Sequence, residues 1–204
     1  MTMPSLIPSR VGAACGAIFA VVLFVAAGDG GEGYSAVRAV AGLAALTLFV
    51  PFLAYVCSIL RAAEGPNGWL AGAALASGLV GITLKIVSVL PALALHHAHV
   101  SDGTQLHRIF DGFDNGATVI ALYPLAIFCA ATAAVALRTG ALPRWLAAGA
   151  AVTAVALAVN GAFLQASFVP ALLLFIVWNL AASVVLLNRT RRVGSRAGRV
   201  EVTA

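Results

Sequence analysis

The spacing of its charges constrains this chain more than any other feature. No charged residue interrupts the 44 residues between Arg144 and Arg189, and long uncharged gaps separate Arg10 from Asp29, Arg38 from Arg61, and Asp114 from Arg138. A charge at the centre of an isolated spanning helix costs about 2.5–3.5 kcal/mol on insertion scales, so such gaps mark the segments that a bilayer accepts. A spanning helix needs roughly 20 apolar residues. Each of the three shorter gaps fits one helix. The long one, broken by Gln165, Ser167 and Pro170, fits a helical hairpin. Between Trp69 and Leu95 lies another apolar stretch, interrupted only by Lys85, which a helix accommodates when that side faces protein or water. Composition excludes a soluble domain: of 204 residues 62% are apolar and 9% charged, against roughly 25% charged in soluble proteins.

The predicted fold is therefore all-α, a polytopic membrane protein with six transmembrane helices in one bundle over residues 1–192. The spans fall at about 11–28, 39–60, 69–95, 115–137, 145–165 and 169–188, and a basic flexible tail follows at 193–204. Continuous Ala- and Leu-rich runs exclude a β-barrel, whose strands alternate apolar and polar residues. Arg10 ahead of the first span and Ala26, Ala27 and Gly28 after it also fit a cleaved signal peptide, a secondary reading. A lipoprotein reading of Cys15 is rejected, because only a Pro-containing leader precedes it.

The basic balance, with a net charge of +5, marks topology rather than a nucleic-acid partner. With the N-terminus in the cytoplasm, Arg10, Arg61, Arg138, Arg144, Arg189, Arg191, Arg192, Arg196 and Arg199 lie inside, and only Arg38 and Arg108 lie outside. Both termini are thus expected in the cytoplasm. The arginine-rich tail could bind anionic lipids at roughly 1 kcal/mol per residue, although a topology anchor suffices to explain it.

Small residues four apart, Gly12 with Gly16 and Ser77 with Gly81, signal close helix packing within the bundle or in a homo-oligomer. Pro51, Pro91 and Pro124 each remove a backbone hydrogen bond and can kink a helix. Trp69 and Trp145 sit where a cytoplasmic interface is expected. Cys15, Cys57 and Cys129 lie in apolar runs without metal-ligand spacing and read as packing residues. Asn179 and Ser183 in the last span could supply interhelical hydrogen bonds.

Two constellations could carry chemistry. Lys85 is the one charge deep inside a span. Depth counting places Tyr123 and Asn160 near its level and Gln165 slightly above, with Asp111 and Asp114 at the outer mouth as counter-charges. Together they form a candidate outward-facing polar cluster. A lysine that snorkels to the outer headgroups is the alternative. The second constellation is the predicted outer loop from His96 to Asn115, which holds all four histidines. His96 and His99 are three apart, and His107 and Asp111 four apart. The four could hold a divalent transition metal such as zinc, or the histidines could sense pH. No phosphate loop, nucleophile elbow or paired intramembrane carboxylates occur.

The run Leu137-Arg138-Thr139-Gly140-Ala141-Leu142-Pro143-Arg144-Trp145, with Leu173 to Leu187 carrying Trp178 and Ser183, resembles a group of actinobacterial multi-span membrane proteins of unknown function. The order of apolar segments agrees from about Val11 to Arg192, most closely in the last third. The resemblance implies a six-helix plasma-membrane protein and no particular activity. Few catalytic groups, and short loops that leave no soluble domain for chemistry, point to an accessory, binding or sensing component with an outward-facing polar cavity. The alternatives are a metal-dependent membrane enzyme acting on a lipid or isoprenoid, and a small transporter using Lys85. Whether the chain is an enzyme stays open at this point.

Overall fold

The structure, a computed structural model, describes residues 6–28, 36–91, 105–163 and 169–201. Among the described residues the chain forms helices α1 (Leu6–Gly28), α2 (Ala36–Glu64), α3 (Leu70–Ser88), α4 (Gln105–Thr139), α5 (Arg144–Ala162) and α6 (Val169–Glu201), and no strand. Alanine and leucine are strong helix formers, and in lipid a helix satisfies every backbone group within its own segment. Five helices (α2 to α6) contain stretches long and apolar enough to cross a bilayer, while the corresponding stretch of α1, Arg10–Val25, is shorter.

Glycines end two of the helices. Gly65 (φ 88°) donates its amide to the Arg61 carbonyl after α2, and Gly140 (φ 70°) donates to Ala136 after α4. Left-handed backbone of this kind closes a helix C-terminus at little steric cost only for glycine. The turns that follow are short, so α2 runs antiparallel to α3 and α4 to α5. The α2–α3 turn has a second clamp: both oxygens of the Glu64 carboxylate accept hydrogen bonds from the first amides of α3, Leu70 N at 3.1 Å and Ala71 N at 2.9 Å. A carboxylate there satisfies orphan donors and complements the positive end of the helix dipole.

The helices form a ring in which each packs on its sequence neighbour and α6 closes on α1. α2 also touches α4 directly, so α3 sits outside, wedged against those two. Register follows from the glycines. Gly12 faces Tyr55 and Gly16 faces Phe52, so α1 and α2 are antiparallel. Gly78 receives Leu53 of α2, and Gly81 receives Leu125 of α4. Gly12, Gly16 and Gly81 thus serve contacts inside the bundle, while Gly78, not Ser77, makes the approach to α2. The centre is aromatic. Phe49 lies 4.9 Å from Phe19, 5.8 Å from Phe52, 6.0 Å from Phe128 and 5.9 Å from Phe175 between ring centroids. Trp178 packs edge-on to Phe128 at 5.9 Å and donates its indole N–H to the Leu146 carbonyl of α5 at 2.9 Å.

Polarity is inverted relative to a soluble bundle. Thr132, Thr153, Asn179 and Ser183 are buried, whereas Phe24, Val50, Ile127, Val155 and Val177 are exposed. Apolar side chains on the outer surface suit a lipid solvent, as do exposed Trp69 and Trp145 at the arginine-bearing end. Asn179 and Ser183 bond within α6, to the carbonyls of Phe175 and Asn179, whereas Trp178 and Arg189 of this helix reach other segments, at the carbonyls of Leu146 and Ala141.

Several predicted boundaries shift. The span predicted at 69–95 is helical over Leu70–Ser88, which places Pro91 beyond α3 and Lys85 in its last turn. The helix predicted at 115–137 begins at Gln105, so the second half of the supposed outer loop is helical. The supposed flexible tail is helical through Glu201. The cause is the same in the last two cases. Charges fix where a chain leaves lipid, but extending an existing helix costs little and needs no apolar residues.

Candidate functional site

Lys85 projects from the last turn of α3, where a cation complements the helix dipole. Its Nζ donates to Thr118 Oγ1 of α4 at 2.6 Å and lies 3.6 Å from Asp114 Oδ1. Asp114 and Thr118 are four residues apart, one turn, and so share the face of α4 turned to α3. Thr118 is buried, whereas the side chains of Lys85 and Asp114 are 33% and 44% exposed. The seam therefore presents an ammonium and a carboxylate together at its surface, on a buried hydroxyl. An exposed pair of this kind contributes only about 0.2–1 kcal/mol to stability. What it offers chemically is a paired donor and acceptor at the end of the bundle opposite Arg61, Arg138 and Arg144.

The lysine thus reaches away from the centre of its span toward the helix end, as a long side chain does when its head seeks water. Asp114, one of the two carboxylates expected at the outer mouth with Asp111, lies 3.6 Å from it. Thr118 escaped sequence reasoning, although its position one turn below Asp114 on the same face was the available signal.

The remaining expected members lie apart from this seam or outside the description. Tyr123 is five residues beyond Thr118, roughly 140° around α4, and its ring rests against Gly161 of α5, where a Cβ would come within 3.1 Å. Asn160, next to Gly161, is buried. Tyr123 belongs to the α4–α5 contact, while Lys85 belongs to the α3–α4 contact. Asp111 stands on α4 three residues before Asp114, and His107 four residues before Asp111. The side chains of His107 and Asp111, and His96, His99 and Gln165 altogether, lie outside the described residues. Among the described residues no three His, Cys, Asp or Glu side chains are grouped to hold a metal.

Cys15, Cys57 and Cys129 are free thiols, the last two buried in the helical packing. At the arginine-bearing end a shallow depression of about 610 Å³ lies against Ser58, Arg61, Ala62, Gly65 and Pro66, distant in sequence from Lys85 and near the other end of α2. No protein family, curated protein or solved structure matches the chain.

Proposed function

We propose that the chain is a six-span plasma-membrane protein with both termini in the cytoplasm, related to the actinobacterial multi-span proteins it resembles. In this reading it is an accessory, binding or sensing component whose outward-facing polar site is the Lys85–Thr118–Asp114 seam. The observation that carries this reading is the seam itself: a half-exposed ammonium and carboxylate held by a buried hydroxyl at the ends of α3 and α4. The alternating direction of the helices puts Lys85 at the end opposite Arg61, Arg138 and Arg144, and the excess of arginine assigns that latter end to the cytoplasm. A donor and an acceptor side by side complement a small ligand or headgroup carrying both charges.

Binding at the surface is favoured over transport by the Phe49 cluster, which fills the space between α1, α2, α4 and α6 with packed rings. The metal-enzyme alternative rests on the histidines, and elemental analysis of the purified protein against a His96/His99/His107 triple alanine variant decides it. The binding reading is tested by thermal unfolding in detergent with glycine, phosphoethanolamine or inorganic phosphate at millimolar concentration. It expects at least one probe to raise the midpoint of the natural chain and not of Lys85→Met. Equal responses of the two proteins to every probe would overturn it.

A further inference from the structure

Three arginines from three helices surround the turn that joins α4 to α5. Arg138 stands in the last turn of α4 and Arg144 opens α5. Each is three residues from Ala141, so their Cα atoms lie at most about 11 Å from its own, at 3.8 Å per residue. Arg189 comes from α6, 48 residues further along the chain, and donates from Nη1 to the Ala141 carbonyl at 2.6 Å. The turn that receives it is itself bonded: Gly140 N donates to the Ala136 carbonyl, and Thr139 Oγ1 donates to the Val135 carbonyl at 2.8 Å and accepts from Ala141 N at 3.3 Å. A peptide group, not a carboxylate, thus holds the Arg189 guanidinium in place, with most of its five N–H donors unspent.

The chain has no counter-charge to offer these cations. No acidic residue stands between Asp114 and Glu201 in the sequence. Asp114 lies beside Lys85 at the opposite end of the bundle, and the Glu64 carboxylate is taken up by the first amides of α3. Glu201 is twelve residues beyond Arg189 along α6, about 18 Å of helix. The side chains of Arg138 and Arg144 have no hydrogen-bond or ion-pair partner among the described residues. Three like charges gathered at one turn repel one another, and the anion that offsets them must come from outside the chain. Depth selects its source. Leu137, beside Arg138, is 56% exposed, and Trp145, beside Arg144, is 59% exposed. An exposed leucine and an exposed indole adjoining arginines mark the level at which acyl chains give way to headgroups.

We propose that the α4–α5 turn and the adjoining end of α6 form a docking site for an anionic phospholipid. Arg138, Arg144 and Arg189 take its phosphate, and its acyl chains run along the apolar surface at Leu137 and Trp145. The planar fork of a guanidinium matches phosphate oxygens two at a time, and the summed positive charge favours a headgroup of net negative charge over a zwitterionic one. The site belongs to the folded end of the bundle and is separate from Arg196 and Arg199 of the tail. It depends neither on the Lys85 seam nor on which side of the membrane this end faces.

The test titrates the full-length chain in detergent with dioleoyl phosphatidylglycerol or dioleoyl phosphatidylcholine and counts retained lipid by native mass spectrometry. The natural chain is expected to hold one phosphatidylglycerol at least about tenfold more tightly than phosphatidylcholine. Arg138→Gln/Arg144→Gln removes no contact within the chain and is expected to lose that preference. Arg138→Lys/Arg144→Lys keeps part of it, and Arg196→Gln/Arg199→Gln keeps all of it. Equal retention of the two lipids by the natural chain, or an unchanged preference in Arg138→Gln/Arg144→Gln, would overturn the proposal. So would loss of the preference in Arg196→Gln/Arg199→Gln, which would assign it to the tail. Displacement of the lipid by glycerol phosphate at equal concentration would assign the site to a free phosphate and overturn it as well. The comparison of the two lipids on the natural chain stands whether or not the variants fold.

Discussion

Replacing Gly16 by alanine probes whether the close contact of α1 with α2 and α6 holds the ring closed. A Cβ at Gly16 would fall on the ring of Phe52 and on Ser183 Oγ, closer than a Cβ approaches non-bonded atoms. Phe52 cannot turn aside, because it is fully buried and packed 5.8 Å from Phe49, and Ser183 is held by its bond to the Asn179 carbonyl. Overpacking of this kind costs about 1–3 kcal/mol. Alanine gains back up to about 1 kcal/mol over glycine in helix propensity. With the full propensity gain the net effect is a loss of up to about 2 kcal/mol, and relative to a glycine-to-alanine change without the clash the loss is about 1–3 kcal/mol. Gly42→Ala is the matched control, since its Cβ would meet nothing within 4 Å and only the propensity gain remains. Both are read from unfolding midpoints in mixed-micelle denaturant titrations. Adding Phe52→Leu to Gly16→Ala is expected to recover part of the loss, although Phe52→Leu alone destabilises. If Gly16→Ala is as stable as Gly42→Ala, the three-helix contact at Gly16 is not a constraint on the fold.

Other expectations follow from single contacts. Glu64→Ala removes both acceptors from the start of α3 and should cost about 0.5–2 kcal/mol in the same titration, with Glu64→Gln losing less. Trp178→Phe keeps an aromatic ring against Phe128 but removes the indole donor from the Leu146 carbonyl, an expected loss of about 0.5–1.5 kcal/mol in the same titration. A double-mutant cycle of Lys85→Met and Asp114→Asn should return a coupling no larger than about 1 kcal/mol, because the pair is exposed and 3.6 Å apart. A larger value would mean that the pair is structural rather than available to a ligand.

The helical, membrane-type class of this protein was legible in the sequence because lipid imposes a one-dimensional rule. Charges must leave the hydrocarbon, and every backbone group inside it must be bonded within its own segment. The intervals around Arg61, Arg138, Arg144 and Arg189 therefore located α2, α4, α5 and α6 directly, and the gap around Lys85 located α3. Helix ends were less legible, since leaving lipid and ending a helix are different events: α4 continues outward to Gln105, and α6 runs on through its arginines to Glu201. At the candidate site, the pairing of Lys85 with Asp114 could be anticipated from depth and charge. Whether Tyr123 and Asn160 join it could not, because depth along the membrane is readable from residue counting while the direction around each helix is not. Only the packed helices fixed those directions. Gly81 set α3 against Leu125, which turned the Asp114–Thr118 face of α4 to Lys85 and Tyr123 to α5.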